Sequence, residues 1–244
     1  ACLQPLLFVM QIQGTPLQIA EAEDKLMGCM LKTSGIATAA RRFVNAAGSD
    51  MRVISGSWKK MPASLKEDIR QALVTGGVHI RITDSPMIYL DKNYVKMLGG
   101  IQSTLSAADR IGNRKKAIQI RGRREYGSDI VREAWAAINS GADIIFIDTG
   151  NISDAELISK AVIPVLNEWK TKHQYRNVEI VYGGGVKLED IKALRDMGID
   201  AVDVGRQIID APLLDMRLEV ISQRSTNEYE HNYNLLDKSE LTID

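Results

Sequence analysis

The chain has 244 residues, 45% of them hydrophobic and 25% charged, which is typical of a globular protein with a sizeable core. Its 31 basic and 31 acidic residues give a formal net charge of +0, which argues against a nucleic-acid partner. Cys2 and Cys29 form neither a metal-ligand spacing nor a disulfide framework, so we expect a cytoplasmic protein. The apolar run at residues 5–10 is too short to cross a bilayer, and no membrane partner is expected.

Three regions are predicted along the chain. Residues 1–46 hold one strand-like run and two helices, Glu21–Lys32 and Ile36–Ala47, separated by Ser34-Gly35. Residues 47–222 repeat a short apolar strand followed by a helix, and residues 223–244 form a polar extension without a clear period. The strands are expected at 51–55, 87–90, 116–120, 143–147, 178–182 and 201–204, and the helices at 64–74, up to about 111, 128–140, 153–169 and 188–197.

The strand pattern predicts an α/β fold with a parallel sheet. The predicted strands are short and apolar without strict alternation, as in strands that are buried on both faces. Regular βα repeats and glycines gathered late in the chain favour a closed or nearly closed parallel α/β barrel. A doubly wound open sheet is the alternative.

Two glycine-containing loops follow the last two predicted strands. In parallel barrels these loops often bind phosphate, because main-chain N–H groups can approach an anion where no Cβ intervenes. The N-terminus of a following helix would add partial positive charge. The predicted phosphate-binding residues are therefore Gly184, Gly185, Gly205 and Arg206. The alternative is that these glycines only form tight turns.

Other polar residues fall at the same ends of the predicted strands. Lys59 and Asp148 are the candidate catalytic residues, since each lies within a few residues of a buried strand. Asp148 could hold ribose hydroxyls or a Mg²⁺ ion, or could instead cap the next helix. The candidate substrate-binding residues are His79, Arg81, Trp58 and Arg121, with Arg123 and Arg124 close by. These cations favour an anionic, phosphorylated small molecule as the partner, although any one of them could be merely solvated.

Several motifs in the chain resemble those of the type II quinolinate and nicotinate phosphoribosyltransferases. The most specific is Ser34-Gly35-Ile36-Ala37-Thr38, which matches the SGIAT helix motif of that family. The other matches run in the same order along the chain: Glu23, residues 57–62 (SWKKMP), 76–81 (GGVHIR), 142–148 (ADIIFID), 182–186 (YGGGV), 198–205 (GIDAVDVG) and 213–218 (LLDMRL).

The resemblance implies an N-terminal α/β layer, shortened in this chain, that packs beside an incomplete α/β barrel. A homodimer or higher homo-oligomer is implied as well, with one subunit's layer covering the other's barrel mouth. It also implies a pentosyltransferase that uses Mg²⁺ and transfers the phosphoribosyl group of 5-phosphoribosyl 1-pyrophosphate (PRPP) to a pyridine carboxylate. Pyrophosphate is released in that reaction.

The chain also departs from the family pattern. Asp24 and Trp58 stand where the family has arginines, and the family's His-Arg pair is split between His79 and Arg81. The family's lysine near residues 89–92 has no clean match, and its carboxylate on the third strand is replaced around residues 119–121. Loss of bidentate arginines weakens recognition of a dicarboxylate, and a lone lysine does not replace them.

These observations favour a phosphoribosyltransferase-like enzyme with a pyridine-type or other aromatic acceptor. Two alternatives stay open: a barrel enzyme recruited to other chemistry on a phosphorylated or nucleotide-like substrate, and a non-catalytic paralogue that acts as a binding or assembly subunit.

Overall fold

The computed structural model describes residues 9–122, 129–172 and 177–222. Its strands are β1 (Arg52–Ile54), β2 (Met87–Leu90), β3 (Lys115–Ile120), β4 (Ile144–Asp148), β5 (Glu179–Gly183) and β6 (Ala201–Asp203). Its helices are α1 (Pro16–Ala47), α2 (Lys66–Thr75), α3 (Lys92–Met97), α4 (Ile101–Asp109), α5 (Ile130–Asn139), α6 (Ile152–Ala161), α7 (Ile163–Thr171), α8 (Asp190–Asp196) and α9 (Arg206–Ile209), with 3₁₀ turns at Ser57–Lys60 and Ala63–Leu65. Each of the six strands predicted between residues 51 and 204 is present within one or two residues of its expected bounds. The predicted polar extension at 223–244, and residues 1–8 at the other end, lie outside the described residues.

The six strands form one parallel sheet in the order β1-β6-β5-β4-β3-β2. The sheet curves into an incomplete barrel, because its two edge strands meet at one apolar cluster: Ile54 of β1 belongs to it and Met87 of β2 packs against it. Beyond β1, His79 adds a single parallel bridge to Ile54, so the segment after α2 occupies the place of a further strand. The predicted α/β barrel is confirmed, and the open-sheet alternative is wrong.

The barrel interior is a small apolar cluster. Alternate residues of the strands form it: Ile54, Ala117, Ile144, Phe146, Val181 and Ala201. Ile82, in the segment between the His79 bridge and β2, and Met87, the first residue of β2, pack against this cluster at the place where no strand ladder closes the barrel. The other face of each strand packs against the surrounding helices and forms the larger core.

The N-terminal helix differs from its prediction. Residues 16–47 form one continuous helix, begun by a capping box in which Thr15 and Gln18 exchange hydrogen bonds, so the predicted break at Ser34-Gly35 is wrong. The glycine has a packing role instead, since a Cβ at Gly35 would lie 2.1 Å from the carbonyl oxygen of Pro212. Glycine has a low helix propensity, but at this position it lets the C-terminal segment pack directly against the helix, and the helix continues through it.

Two predicted helices are each divided in two. The stretch after β2 breaks at Gly99 and Gly100, whose φ angles are 81° and 125°. The stretch after β4 breaks at Val162, where α7 begins with a proline in its first turn. Among the described residues, no helix combines the length and the apolar character that a membrane span needs.

Candidate functional site

The carboxyl ends of the parallel strands form a polar mouth. Side chains alternate along each strand, so the residues that continue the interior face toward the carboxyl ends are Tyr89, Gln119, Asp148, Gly183 and Asp203. This places polar groups from β2, β3, β4 and β6 around one opening, as expected for the functional end of an α/β barrel.

The loops after β4 and β5 are in direct main-chain contact. A Cβ on Gly184 would lie 2.5 Å from the main-chain nitrogen of Gly150 and 3.2 Å from Asp148 Oδ1. Gly184 and Gly185 have φ angles of 98° and 90°, in the region that favours glycine. The structure therefore brings Asp148 and the predicted phosphate-binding glycines together.

Gly185 faces open space. No atom lies within 4 Å of a Cβ built on it, and in the described part of the chain no hydrogen bond is made by its N–H group. The helix after this turn does not contribute as predicted: α8 begins only at Asp190 and has seven residues, with Glu189 before it. An anion at this turn would therefore be held by loop amides rather than by a helix terminus.

The loops after β6 and β1 also meet. A Cβ on Gly205 would lie 3.4 Å from Ser57 Oγ, and the Gly56 N–H donates to Asp203 Oδ1 at 3.0 Å. Arg206 starts the four-residue helix α9 and is exposed. Since β5 and β6 are neighbours, both predicted glycine loops lie at the same edge of the sheet.

Asp203 is a site residue that the sequence interpretation missed. Burial raises its pKa above the usual aspartate range, and the nearby charge of Asp148 acts in the same direction. The Gly56 N–H and the charges of Lys59 and Lys60 partly offset this rise. Asp203 lies two residues after Ala201, which faces the barrel interior, so the alternation of side chains along β6 could have identified it.

Asp148 and Asp203 flank the end of β5 without a cation beside them. Asp148 is partly exposed and accepts a hydrogen bond from Gln119 Nε2. Among the described residues, no lysine or arginine nitrogen lies within 4.0 Å of either carboxylate. Burial, followed by the charges of Asp148 and Asp203, raises the pKa of Tyr89, whose ring meets Phe146 edge-on at 6.1 Å.

Lys59 and Trp58 occupy the 3₁₀ turn after β1. Lys59 is exposed and close enough to Asp203 to lower its pKa, so its predicted place at the mouth is observed. Trp58 is partly buried: its Nε1–H donates to the Ile80 carbonyl at 3.2 Å, and Arg70 stacks 4.9 Å from its ring centroid. The indole therefore forms part of the wall beside the mouth.

The remaining predicted residues are His79 and Arg81, in the segment after α2, and Arg121, which follows β3. His79 is exposed, and its main chain bonds to β1 through Val53 and Ser55. Arg81 is exposed in the segment after His79. Arg121 follows β3, where the carboxylate of Glu133 accepts from the N–H groups of both Arg121 and the next residue at 2.8 Å. The predicted neighbours Arg123 and Arg124 lie outside the described residues.

The donor set at the mouth suits a cation that shares its ligands with phosphate. Within the described ranges, no cluster of three or more His, Cys, Asp or Glu side chains could bind a metal by itself. Mg²⁺ is commonly held by one or two carboxylates together with substrate phosphates. Asp148 and Asp203 fit that pattern.

The fold and mouth define an α/β-barrel protein suited to an anionic ligand, with open glycine amides and rim cations surrounding two inner carboxylates. Residues 36–219 match the family described as "Quinolinate phosphoribosyl transferase, C-terminal domain". The chain belongs to this family.

Curated relatives agree with this assignment. The chain is similar to nicotinate-nucleotide pyrophosphorylase [carboxylating] of Homo sapiens, with 25% identity over 223 residues that cover 91% of this chain and 70% of the relative. It is also similar to a probable nicotinate-nucleotide pyrophosphorylase [carboxylating] of Methanothermobacter thermautotrophicus, with 26% identity over 220 residues, 87% of this chain and 72% of the relative.

Solved structures share the fold. The crystal structure of NadC from Streptococcus pyogenes has a TM-score of 0.65 and 21% identity, covering 83% of this chain. Nicotinate-nucleotide pyrophosphorylase from Pyrococcus furiosus has a TM-score of 0.59 and 23% identity, covering 79% of this chain. The chain spans only 65% and 51% of the length of these two proteins.

Proposed function

We propose that this chain transfers the phosphoribosyl group of PRPP to the ring nitrogen of a pyridine-type acceptor and releases pyrophosphate. The observation that carries the proposal is the contact between the loops after β4 and β5. It sets Gly184 beside the Asp148 carboxylate and next in the chain to Gly185, whose amide is open, so that a phosphate and a ribose could be held side by side.

Phosphate oxygens would be held by the loops after β5 and β6. The N–H groups of Gly184, Gly185 and Gly205 can approach an anion closely, and Arg206 supplies a fixed positive charge. Lys59 would offset negative charge on the departing pyrophosphate. His79, Arg81 and Arg121, the residues that the sequence predicts to bind substrate, would contact a carboxylate of the acceptor.

The inner carboxylates would hold the ribose. Asp148 would accept hydrogen bonds from ribose hydroxyls, and its charge would favour the electron-poor sugar carbon as the bond to pyrophosphate breaks. The acceptor nitrogen then forms the new bond to that carbon. Binding and orientation account for the rate gain, and no protein nucleophile is required.

A divalent cation fits beside the two carboxylates. Asp148 and Asp203 would hold it together with PRPP oxygens, and bound Mg²⁺ would supply positive charge to the pyrophosphate leaving group.

The names of the relatives indicate the acceptor class. They are nicotinate-nucleotide pyrophosphorylases [carboxylating], which points to a pyridine carboxylate. Asp24 and Trp58 stand where the motif resemblance implies arginines in the family, and Trp58 is packed into the wall. We therefore propose quinolinate and nicotinate as the acceptors to compare first.

Isothermal titration with PRPP and Mg²⁺ tests the proposal, together with pyrophosphate release in the presence of each acceptor. We expect binding below millimolar concentration. Arg206→Gln should weaken PRPP binding by about 10-fold or more, as expected for a lost charge-assisted contact. Arg110→Gln, an exposed arginine at the end of α4, is the matched control and should bind normally.

The two alternatives give different results in the same experiment. Lack of PRPP binding at millimolar concentration by a folded protein, with binding of another phosphorylated compound, supports a recruited barrel enzyme. A protein that binds neither, but forms a stable complex with a second chain, supports an assembly subunit.

We also propose that the protein is a homodimer. The first half of α1 extends past the barrel with Leu17 and Leu26 exposed at 68% and 47%. Light scattering after size-exclusion chromatography is expected to give twice the chain mass of 27.0 kDa.

A further inference from the structure

The side chain of Gln119 is a buried polar group that joins two strand ends. It is 6% exposed and points into the barrel from β3. Its Oε1 accepts from the Lys92 N–H at 2.8 Å, and its Nε2 donates to Asp148 Oδ2. The carboxamide therefore spans from the loop after β2 to the carboxylate at the end of β4.

The Lys92 contact determines which way the amide faces. Asp91 caps α3 by accepting from the N–H groups of Asn93 and Tyr94, which leaves the N–H of Lys92 to Gln119. Since a main-chain N–H can only donate, the oxygen of the Gln119 amide must face Lys92. The NH₂ group then faces Asp148.

The amide also determines which oxygen of Asp148 stays available. Oδ2 is occupied by Gln119, whereas Oδ1 lies on the side of the glycine turn, 3.2 Å from where a Cβ of Gly184 would stand. A neutral donor holds the carboxylate without neutralising its charge. Asp148 therefore has a fixed orientation toward the open turn.

We infer that Gln119 is a positioning residue for Asp148, which sets the direction of the carboxylate and links it to the end of β2. The inference rests on the proposed function, in which Asp148 contacts the ribose. It assigns Gln119 no contact with substrate. Its effect on turnover must therefore pass through Asp148.

A double-mutant cycle on kcat/KM for PRPP tests this dependence. Gln119→Met keeps the length of the side chain but removes both polar atoms, and it should lower kcat/KM by about 10-fold or more. In an Asp148→Ala background the same change should have less than a twofold effect, because the group it positions is gone. Gln102→Met, at an exposed position of α4, is the matched control and should act like wild type.

Equal losses from Gln119→Met in both backgrounds would overturn the inference, since a merely structural residue acts whether or not Asp148 is present. Thermal unfolding of each variant accompanies the cycle. If Gln119→Met does not fold, Gln119→Glu replaces it in the cycle. An ionised glutamate still accepts from Lys92, but it cannot donate to Asp148 and adds a like charge beside it, so a loss at least as large, with the same dependence on Asp148, is expected above the carboxyl pKa range.

A second measurement does not depend on turnover. The side-chain NH₂ of Gln119, assigned in ¹⁵N spectra by its absence in Gln119→Glu, should exchange slowly with solvent. In Asp148→Ala its signals should move and exchange faster, while those of Gln102 stay unchanged. Signals that do not respond to Asp148→Ala refute the positioning role, whereas wild-type protein without PRPP turnover refutes the proposed function alone.

Discussion

Two glycines of α1 allow the packing of the C-terminal segment to be tested with one kind of substitution. A Cβ on Gly28 would meet no atom within 4 Å, whereas a Cβ on Gly35 would lie 2.1 Å from the Pro212 carbonyl oxygen. Both glycines lie inside the same continuous helix. The change Gly→Ala therefore has the same local effect at both positions and a different tertiary effect.

The magnitudes follow from the contacts. Alanine stabilises a helix interior by about 1 kcal/mol relative to glycine, so Gly28→Ala should raise the free energy of unfolding by that amount. Gly35→Ala forces the segment near Pro212 away from α1. That movement breaks the hydrogen bonds from Lys32 Nζ to Ala211 O and from Leu214 N to Leu31 O. These two bonds contribute about 3 kcal/mol together, so the net loss is about 2 kcal/mol.

Urea unfolding and thermal scans measure both effects. For a chain of this size, 1 kcal/mol corresponds to about 2–4 °C in Tm, so Gly28→Ala should unfold higher than wild type and Gly35→Ala lower. If Gly35→Ala stabilises the protein as much as Gly28→Ala does, the C-terminal segment does not pack on α1 as described, and the explanation of the unbroken helix is refuted.

Three further predictions concern the mouth. Gly184→Ala should weaken PRPP binding in calorimetry and destabilise the fold in urea more than Gly185→Ala does. The Cβ of Gly184→Ala would lie against main-chain atoms, whereas the Cβ of Gly185→Ala meets no atom. Gly185→Ala should therefore cost only the backbone strain of a positive φ, about 1–2 kcal/mol. Burial raises the pKa of Asp203 in the folded protein above its value in the unfolded chain. At a pH below the unfolded-state pKa, Asp203 is protonated in both states and its ionisation has no effect on stability. As the pH rises through the folded-state pKa, the buried charge lowers the free energy of unfolding. Asp203→Asn should therefore be more stable than wild type to urea at pH 7, with a difference that shrinks toward pH 4. Trp58→Phe should lower the free energy of unfolding in urea by about 1 kcal/mol, because it loses the hydrogen bond to the Ile80 carbonyl. If stability is unchanged and the KM for the acceptor rises strongly instead, the indole contacts the acceptor and is not only part of the wall.

The strands were predictable because each is a short apolar run followed by glycine or polar residues. That pattern placed Asp148 at the end of a buried strand and Gly184 and Gly185 just after the next one. The parallel arrangement followed from the βα repeat. These features depend on local sequence, and local sequence was sufficient for them.

The features that were missed depend on contacts between distant segments. Gly35 looked like a helix end, but its lack of a side chain serves contact with Pro212, far away in the sequence. Gln119 and Asp203 looked like ordinary strand residues. Their position on the interior face follows from the register of β3 and β6 against their neighbours, which a strand of three to six residues does not reveal by itself.

Charge at the mouth is separated by depth. The carboxylates of Asp148 and Asp203 continue the interior face of the strands, whereas Lys59, Lys60 and Arg206 are exposed on the surrounding loops. A ligand with a negative end and an electron-poor, hydroxylated middle matches this arrangement, because its phosphates meet the outer cations while its hydroxyls reach the inner acids. PRPP has that form. Under the proposed function, substrate hydroxyls and a cation shared with phosphate would supply hydrogen-bond donors and positive charge to the two inner carboxylates.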